Sequence, residues 1–240
     1  MSVGPEIFGE DYLYFYDGTV LTPERDEREA ELVWRMLGLG PGAEVLDLAC
    51  GHGRIANRLA DRGARVTGLD ADPYFLEVAR SAGSSAEFVE GDMRALPWDG
   101  PQFDAVALWF TAFGYFDEST NADVLRGIRR VLRDGGRLAI ELNHLPRILA
   151  TFQRQSWIRH DDDVVLDEHE FVADRSVMRT RRTYVRGGTV REVDYEVRMY
   201  MPAELRELVL GAGFARVELL GNDGAPLTAD SRRLVAVAFS

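Results

Sequence analysis

The sequence predicts an α/β fold in which a mostly parallel sheet carries a separate antiparallel sheet inserted near its end. Short apolar runs alternate with helix-like segments over residues 44–142, a rhythm typical of a parallel sheet covered by helices on both faces. A period-two pattern replaces this rhythm over residues 157–201, with Gly187 and Gly188 between two alternating runs. A glycine pair at that place is typical of a hairpin turn.

The first predicted element after an aromatic-rich start is a helix over residues 22–37. Thr22 suits its N-cap, Pro23 suits its first turn, and the glycines from Gly38 to Gly42 end it. The core strands are then predicted at residues 43–48, 64–70, 86–92, 103–110, 135–142, 215–221 and 232–239. The helices between them are predicted at residues 55–62, 73–83, 121–132 and 202–214.

Charge and composition limit the range of functions. The 240 residues carry a formal net charge of −12 and one cysteine, Cys50. An acidic surface repels phosphate backbones, so nucleic acid is a poor substrate. No apolar run approaches the length of a membrane span, and the N-terminus does not resemble a signal peptide. With no internal disulfide to form, we expect a cytoplasmic protein without a membrane partner.

A glycine turn between the first strand and its helix is the strongest functional signal. Gly51 and Gly53 allow a ligand to approach the backbone beside the free N–H groups of a helix N-terminus. Residues 51–56 fit the dinucleotide pattern G-x-G-x-x-G/A, and Asp70 ends the next strand, where an acid binds ribose hydroxyls. This turn alone therefore leaves an NAD(P)-dependent oxidoreductase open.

The stretch from Asp47 to Gly53 resembles the first motif of class I S-adenosylmethionine-dependent methyltransferases, with Ala49 in place of its first glycine. The similarity continues through Asp70, the loop at Asp92, the loop after the fourth strand and the C-terminal strands. It implies a Rossmann-like seven-stranded mixed sheet with strand order 3-2-1-4-5-7-6. A pyrophosphate prefers a helix N-terminus without an adjacent carboxylate, so Asp47 disfavours NAD.

The resemblance also implies the cofactor site. Asp70 would bind the ribose hydroxyls of S-adenosylmethionine, Asp92 the adenine amino group, and Met93 would lie against the ring. Asp47 would act indirectly, by orienting the turn or holding water. The implied cofactor-binding residues are Tyr16, Asp47, Ala49, Gly51, Gly53, Asp70, Ala71, Asp92, Met93 and Trp109.

The chain divides into a core and two additions. Residues 1–43 are predicted to form an N-terminal helical lid segment, whose Tyr12, Tyr14 and Tyr16 cover either the cofactor or other apolar surface. Residues 44–144 and 202–240 form the methyltransferase core. Residues 145–201 form the inserted antiparallel sheet, which caps the substrate site or pairs two subunits in a homodimer.

Catalytic candidates follow the fourth and fifth strands, where ligands meet parallel sheets. His144 is the best-placed general base and Tyr115 orients a substrate group, the alternatives being a packing or capping histidine and a core aromatic. The predicted reaction is methyl transfer to O, N or C of a small molecule in bacterial secondary metabolism. The insert is similar to that of amino-sugar N-methyltransferases, which often have histidine where Tyr115 stands.

Two further interpretations concern metals and catalysis. His160, His169 and the acids between them do not have the spacing of a zinc or calcium site, so we expect no metal. Cys50 is a packed side chain rather than a nucleophile. A non-catalytic binding protein that keeps this fold remains the third hypothesis, besides the methyltransferase and the oxidoreductase.

Overall fold

The computed structural model describes residues 7–240 and contains a seven-stranded sheet and a four-stranded sheet. The strands of the larger sheet are β1 (Glu44–Leu48), β2 (Arg65–Asp70), β3 (Glu87–Glu90), β4 (Phe103–Leu108), β5 (Leu132–Asn143), β10 (Arg216–Leu220) and β11 (Arg233–Phe239). Their order is β10-β11-β5-β4-β1-β2-β3. Strand β11 is antiparallel to both of its neighbours, β10 and β5, and the other neighbouring pairs are parallel. The predicted mixed sheet and its strand order are confirmed.

Helices cover both faces of this sheet. They are α1 (Glu10–Tyr16), α2 (Pro23–Leu37), α3 (Ala56–Asp61), α4 (Pro73–Ser81), α5 (Glu118–Val131), α6 (Leu145–Ala150) and α7 (Pro202–Gly211). Strand β1 is central, and its Val45, Leu46 and Leu48 have no exposed surface. Val45 packs with residues of α2 and α3, whereas Leu46 and Leu48 pack with residues of α5 and α7. Opposite-facing side chains of one strand thus bind the two helical layers.

Capping residues fix the ends of several helices. The Thr22 hydroxyl accepts a hydrogen bond from the Arg25 amide, and Gly38 ends α2 in the left-handed conformation, as predicted. Helix α5 begins three residues earlier than predicted because Asp117 caps it, accepting from the Thr120 amide at 2.8 Å. A side-chain acceptor satisfies one of the free amides of the first turn, and this sets the start of the helix.

The inserted sheet contains β6 (Gln155–His160), β7 (Asp163–Val172), β8 (Val177–Arg186) and β9 (Thr189–Arg198), all antiparallel. Gly187 and Gly188 have φ of 56° and 77° and form the predicted turn between β8 and β9. Both residues of such a two-residue turn need positive φ.

Helix α1 packs against the inserted sheet rather than on the core alone. Phe15 is buried with Val165 and Tyr184. Below them, Arg182 donates to both oxygens of Asp167 at 2.7 Å and to the Tyr16 hydroxyl at 2.8 Å. The bidentate pair with Asp167 holds the Arg182 guanidinium in one position on the sheet. Its bond to Tyr16 therefore fixes where α1 lies.

Within residues 7–240, none of the helices is both long and apolar enough to span a membrane.

Candidate functional site

A cavity with about 1220 Å³ of empty space, including its open mouth, lies beyond the carboxyl ends of β1, β2 and β4. This is the edge at which parallel α/β sheets bind ligands. Nine of the predicted site residues line it: Asp47, Ala49, Gly51, Asp70, Ala71, Asp92, Met93, Trp109 and Tyr115. The remaining three, Tyr16, Gly53 and His144, lie outside this wall.

The two glycines of the turn have different tasks. Both have positive φ, 54° at Gly51 and 76° at Gly53. A Cβ on Gly53 would meet Ala79 Cβ at 2.8 Å, so this glycine permits α3 and α4 to pack closely. A Cβ on Gly51 would have only Phe75 nearby, at 3.8 Å, and Gly51 lines the cavity. Gly51 therefore leaves room for a ligand in the cavity, whereas Gly53 allows α3 and α4 to pack closely.

Ala49 marks a place where the backbone is strained. It has φ of 55°, in the left-handed region that favours glycine. An L-residue there costs on the order of 1–2 kcal/mol. The glycine that Ala49 replaces in the resembled motif would avoid this cost.

Asp70 braces the turn from the end of β2. Its Oδ2 accepts a hydrogen bond from the Gly51 amide at 2.7 Å, and its Oδ1 accepts from the Asp72 amide at 2.9 Å. Burial raises the pKa of Asp70. Each carboxylate oxygen can accept a second bond, so Asp70 can hold the turn and still accept bonds from a ligand.

Three side-chain atoms of the residues that line the cavity are buried without a hydrogen-bond partner among residues 7–240, and one of them is Asp72 Oδ2. The other two belong to Asp47 and Arg54, beside the turn. Asp47 Oδ2 and Arg54 Nη2 are fully enclosed, and among residues 7–240 neither has a hydrogen-bond partner. Burial raises the pKa of Asp47 to about 7, while the positive charge of Arg54 opposes this shift. Buried polar atoms in folded proteins are almost always paired, and both residues line the cavity. A ligand carrying one positive and one negative group would complete them.

Arg54 is held by a charged network from α2. Its Nη1 donates to Glu29 Oε2 at 2.7 Å and to Asp26 Oδ1 at 3.2 Å. Trp109 Nε1 donates to the same Glu29 oxygen at 3.1 Å. The guanidinium of Arg54 lies 4.8 Å from the centre of the Phe110 ring. These contacts fix Arg54 and Trp109 together on the cavity wall.

Asp92 is bound within its own loop. Arg94 Nε donates to both of its carboxylate oxygens, at 3.0 and 2.9 Å, and this ion pair lowers the pKa of Asp92. The Arg94 guanidinium also lies 4.9 Å from the centre of the Phe116 ring. Asp92 is thus ionised and on the wall, but it shares its oxygens with Arg94.

Part of the cavity wall is aromatic. Phe8, Tyr12, Tyr115 and Phe116 line it. Tyr12 contacts Phe75 edge-on at a centroid distance of 5.9 Å and stacks on Tyr16 at 4.3 Å. Tyr16 thus reaches the cavity only through Tyr12, and its hydroxyl is bonded to Arg182.

A second cleft adjoins the cavity under the inserted sheet. It has about 1610 Å³ of empty space and shares Arg94, Tyr115 and Phe116 with the first cavity. Its other lining residues include residues at the start of α5 and on β9, among them Tyr195. A molecule in this cleft would therefore meet the first cavity at Tyr115.

His144 lies away from both cavities. It is 2 % exposed, precedes α6, and its Nδ1 is 2.8 Å from the Ser231 carbonyl oxygen. His169, considered above only as a metal ligand, lies in β7 and is 3.0 Å from the Thr180 hydroxyl and 3.2 Å from the Ser156 hydroxyl. Both imidazoles take part in local hydrogen bonds.

Several wall residues were not predicted from the sequence. They include Phe8, Arg54 and Phe75. A buried basic residue directly after the second glycine was a visible signal for Arg54. Phe110 and Thr111 have positive φ of 64° and 59°, stabilised by Glu141, which accepts from the Phe110 amide. No residue-type pattern indicates such a turn.

Comparisons with known proteins agree with this geometry. Residues 45–136 match the model of a methyltransferase domain. The chain is 32 % identical over 209 residues to the cypemycin N-terminal methyltransferase of a Streptomyces species, covering 82 % of each chain. It is 43 % identical over 100 residues to the demethylmenaquinone methyltransferase of Thermotoga maritima, covering 40 % of this chain and 42 % of that one.

A solved structure has the same fold over nearly its whole length. It is an amino pentose methyltransferase of Micromonospora echinaspora, with a TM-score of 0.70, 22 % identity and 97 % coverage of both chains. That protein was solved with S-adenosylmethionine bound. Together with the sequence matches, these findings decide against an oxidoreductase and against a non-catalytic protein.

Proposed function

Because this chain belongs to the S-adenosylmethionine-dependent methyltransferase family, we propose that it methylates a small-molecule acceptor of bacterial specialised metabolism. S-adenosylmethionine is its cofactor. The observation that carries the proposal is the cavity beyond the glycine turn, which Asp47, Arg54 and Asp70 line.

The residues of that wall fit the cofactor. Its amino-acid end carries an ammonium and a carboxylate, which have the charges that suit Asp47 and Arg54 respectively. Asp70 would accept the ribose hydroxyls, and its burial makes such bonds stronger than in water. Met93 and the ionised Asp92 would meet the adenine.

When bound, the cofactor supplies a methyl group activated on a sulfonium. The protein positions the acceptor in line with that group and excludes water. Tyr115 lines both the cavity and the second cleft, and its ring packs against that of Phe8 at a centroid distance of 5.8 Å. Trp109 lines the cavity and is held by its bond to Glu29.

We place the acceptor in the second cleft, with its reacting atom at Tyr115. The cleft meets the cofactor cavity there. The names of two similar proteins, a cypemycin N-terminal methyltransferase and an amino pentose methyltransferase involved in calicheamicin biosynthesis, support an acceptor of this kind. We assign the acceptor contact to Tyr115 rather than to His144, whose imidazole is bonded to the Ser231 carbonyl. A homodimer and a cytoplasmic location stay predictions.

Calorimetric titration with S-adenosylmethionine, S-adenosylhomocysteine and NADH tests the proposal. We expect micromolar binding of the first two and none of NADH. The matched control is Asp61→Ala, an exposed acid at the end of α3, which should bind as the unchanged protein does. Binding of NADH alone, or of none of the three, would overturn the proposed function.

A further inference from the structure

A continuous row of aromatic rings joins the two cavities. Phe75, Tyr12, Phe8, Tyr115 and Tyr195 follow one another at centroid distances of 5.9, 5.6, 5.8 and 6.5 Å. We call these five residues the aromatic row. Its members come from α4, from α1 and the residues before it, from the loop after β4, and from β9.

The three tyrosine hydroxyls of the aromatic row make no hydrogen bond within the part of the chain that the structure describes. Among residues 7–240, no group hydrogen-bonds to the hydroxyl of Tyr12, Tyr115 or Tyr195, whereas the Tyr16 and Tyr184 hydroxyls are bonded. The three side chains lie deep in the molecule and still keep accessible surface, and they line the two cavities. Such surface is the wall of a binding site rather than packed core.

The carboxylates of the second cleft are already engaged. Asp117 caps α5, and the Thr120 amide lowers the pKa of Asp117 to about 2. Glu196 pairs with Arg175 at 2.8 Å, which lowers its pKa, and Glu118 lies 3.3 Å from Arg198. Asp194 pairs with Arg181 at 3.0 Å. A carboxylate held in an ion pair or a cap is a poor acceptor for a proton from the substrate.

The carboxylates on the cofactor side are also committed. Asp70 holds the turn and Asp92 pairs with Arg94. Asp72 caps α4 through the Tyr74 amide at 2.9 Å. Burial raises the pKa of Asp47 to about 7, but its Oδ2 is enclosed at the end of β1, and the proposed function assigns this carboxylate to the cofactor ammonium rather than to the acceptor.

The remaining titratable groups are equally poor bases. Burial lowers the pKa of His52 to about 4, so its imidazole binds a proton weakly. Burial raises the pKa of Tyr115 to about 12, and it also raises those of Tyr12 and Tyr195, so these phenols stay protonated. Burial likewise raises the pKa of Cys50. A hydroxyl or an acidic carbon needs a base to react, whereas a neutral amine does not.

The arginines around the row are neutralised by acids. Arg182 lies 5.7 Å from the centre of the Tyr195 ring and pairs with Asp167. Arg54 pairs with Glu29 and Asp26, and Arg233 pairs with Glu141. The row therefore presents ring faces without an uncompensated positive charge beside them.

We infer that the acceptor reacts through a neutral amine nitrogen, and that the aromatic row stabilises the positive charge which forms there. This inference rests on the proposed function. The nitrogen lone pair forms the new N–C bond as the methyl carbon leaves sulfur, which keeps the bonding electrons. The resulting ammonium later gives its proton to water. Ring faces attract a cation within about 6 Å of their centre, and the free hydroxyls can accept from N–H groups.

Tetramethylammonium is the probe, and tert-butanol is its uncharged control of similar shape. Binding of each is followed by saturation-transfer NMR on the protein saturated with S-adenosylhomocysteine, which carries no sulfonium. We expect tetramethylammonium to bind at least tenfold more tightly than tert-butanol. Tyr195→Leu should abolish that preference, and Tyr195→Phe should retain it because the ring face remains. Circular dichroism and S-adenosylhomocysteine affinity confirm that each variant is folded.

The outcomes separate the two proposals. Equal binding of the two probes, or a preference unchanged in Tyr195→Leu, would overturn the amine inference while S-adenosylhomocysteine still binds. Failure of S-adenosylhomocysteine to bind the unchanged protein would instead overturn the proposed function.

Discussion

The cavity wall at the glycine turn is charged and local in sequence, whereas the aromatic wall is uncharged and assembled from distant segments. Asp47, Gly51 and Arg54 come from eight consecutive residues. Tyr12, Tyr115 and Tyr195 come from α1, from the loop after β4 and from β9. One wall therefore depends on a motif and the other on how three units pack. We expect the first to govern the cofactor and the second to govern the acceptor.

The largest effect is expected at Asp70. Asp70→Ala removes charge-assisted bonds to the ribose and to the turn, each worth about 1.5–3 kcal/mol. Cofactor affinity measured by calorimetry should fall by roughly tenfold to a hundredfold. Tetramethylammonium binding by the aromatic wall should change little. If Asp70→Ala lost cofactor affinity and tetramethylammonium binding together, the two walls would not have separate roles.

The pH dependence of cofactor binding should follow Asp47. Its pKa is raised to about 7, and the ammonium of the cofactor prefers the ionised carboxylate. Affinity should therefore fall about tenfold per pH unit below pH 7. Asp47→Asn should bind more weakly at pH 8 and should lose this slope. Calorimetry between pH 5.5 and 8.5 measures both, and an unchanged slope in the variant would assign it to another group.

The same group affects folding with a definite sign. Because burial raises the folded-state pKa of an acid, its contribution to stability is complete below its ordinary pKa and is lost as pH rises through about 7. Without cofactor, Asp47→Asn should therefore gain stability over the unchanged protein at pH 8 but not at pH 4. Urea unfolding at the two values provides the comparison.

A smaller effect is expected within the aromatic wall, where the loop after β4 contacts the end of β9. The Gly114 carbonyl accepts from the Arg198 amide at 2.7 Å, and a Cβ on Gly114 would approach the Arg198 carbonyl oxygen to 2.6 Å. Its φ is 104°, so Gly114→Ala should cost about 1–3 kcal/mol of unfolding free energy. Tetramethylammonium binding should weaken while S-adenosylhomocysteine affinity is retained. Gly100→Ala, where a Cβ has free space, is the matched control.

The smallest effect on function is expected at His144. His144→Ala removes the bond to the Ser231 carbonyl and leaves a small void, at a cost of about 1–3 kcal/mol in stability. Once an acceptor is identified, the pH profile of turnover in His144→Ala should have the same shape as that of the unchanged protein. A profile that loses its basic limb in the variant would restore His144 as the general base predicted from the sequence.

The sequence predicted what short-range chemistry determines. The turn at Gly51 and Gly53 and the acid at Asp70 depend on patterns that lie within a few residues, whereas the strand order came from the resemblance to a known family. Phe8 and Phe75 line the cavity together with residues of other elements, which no local pattern encodes. His144 follows the fifth strand as predicted, but the neighbouring chain at Ser231 fixes its imidazole elsewhere.

The hydrogen bonds between α1 and the inserted sheet also affect the order in which the chain can fold during synthesis. Tyr16 and its partner Arg182 are 166 residues apart, and Asp11 bonds to Arg186 and Arg191 over similar spans. At 5–20 residues per second, the ribosome needs roughly 10–30 seconds to synthesise that interval. Helix α1 therefore has no partner on the inserted sheet while β1 to β5 are synthesised. The aromatic side of the pocket is begun first and completed last during synthesis.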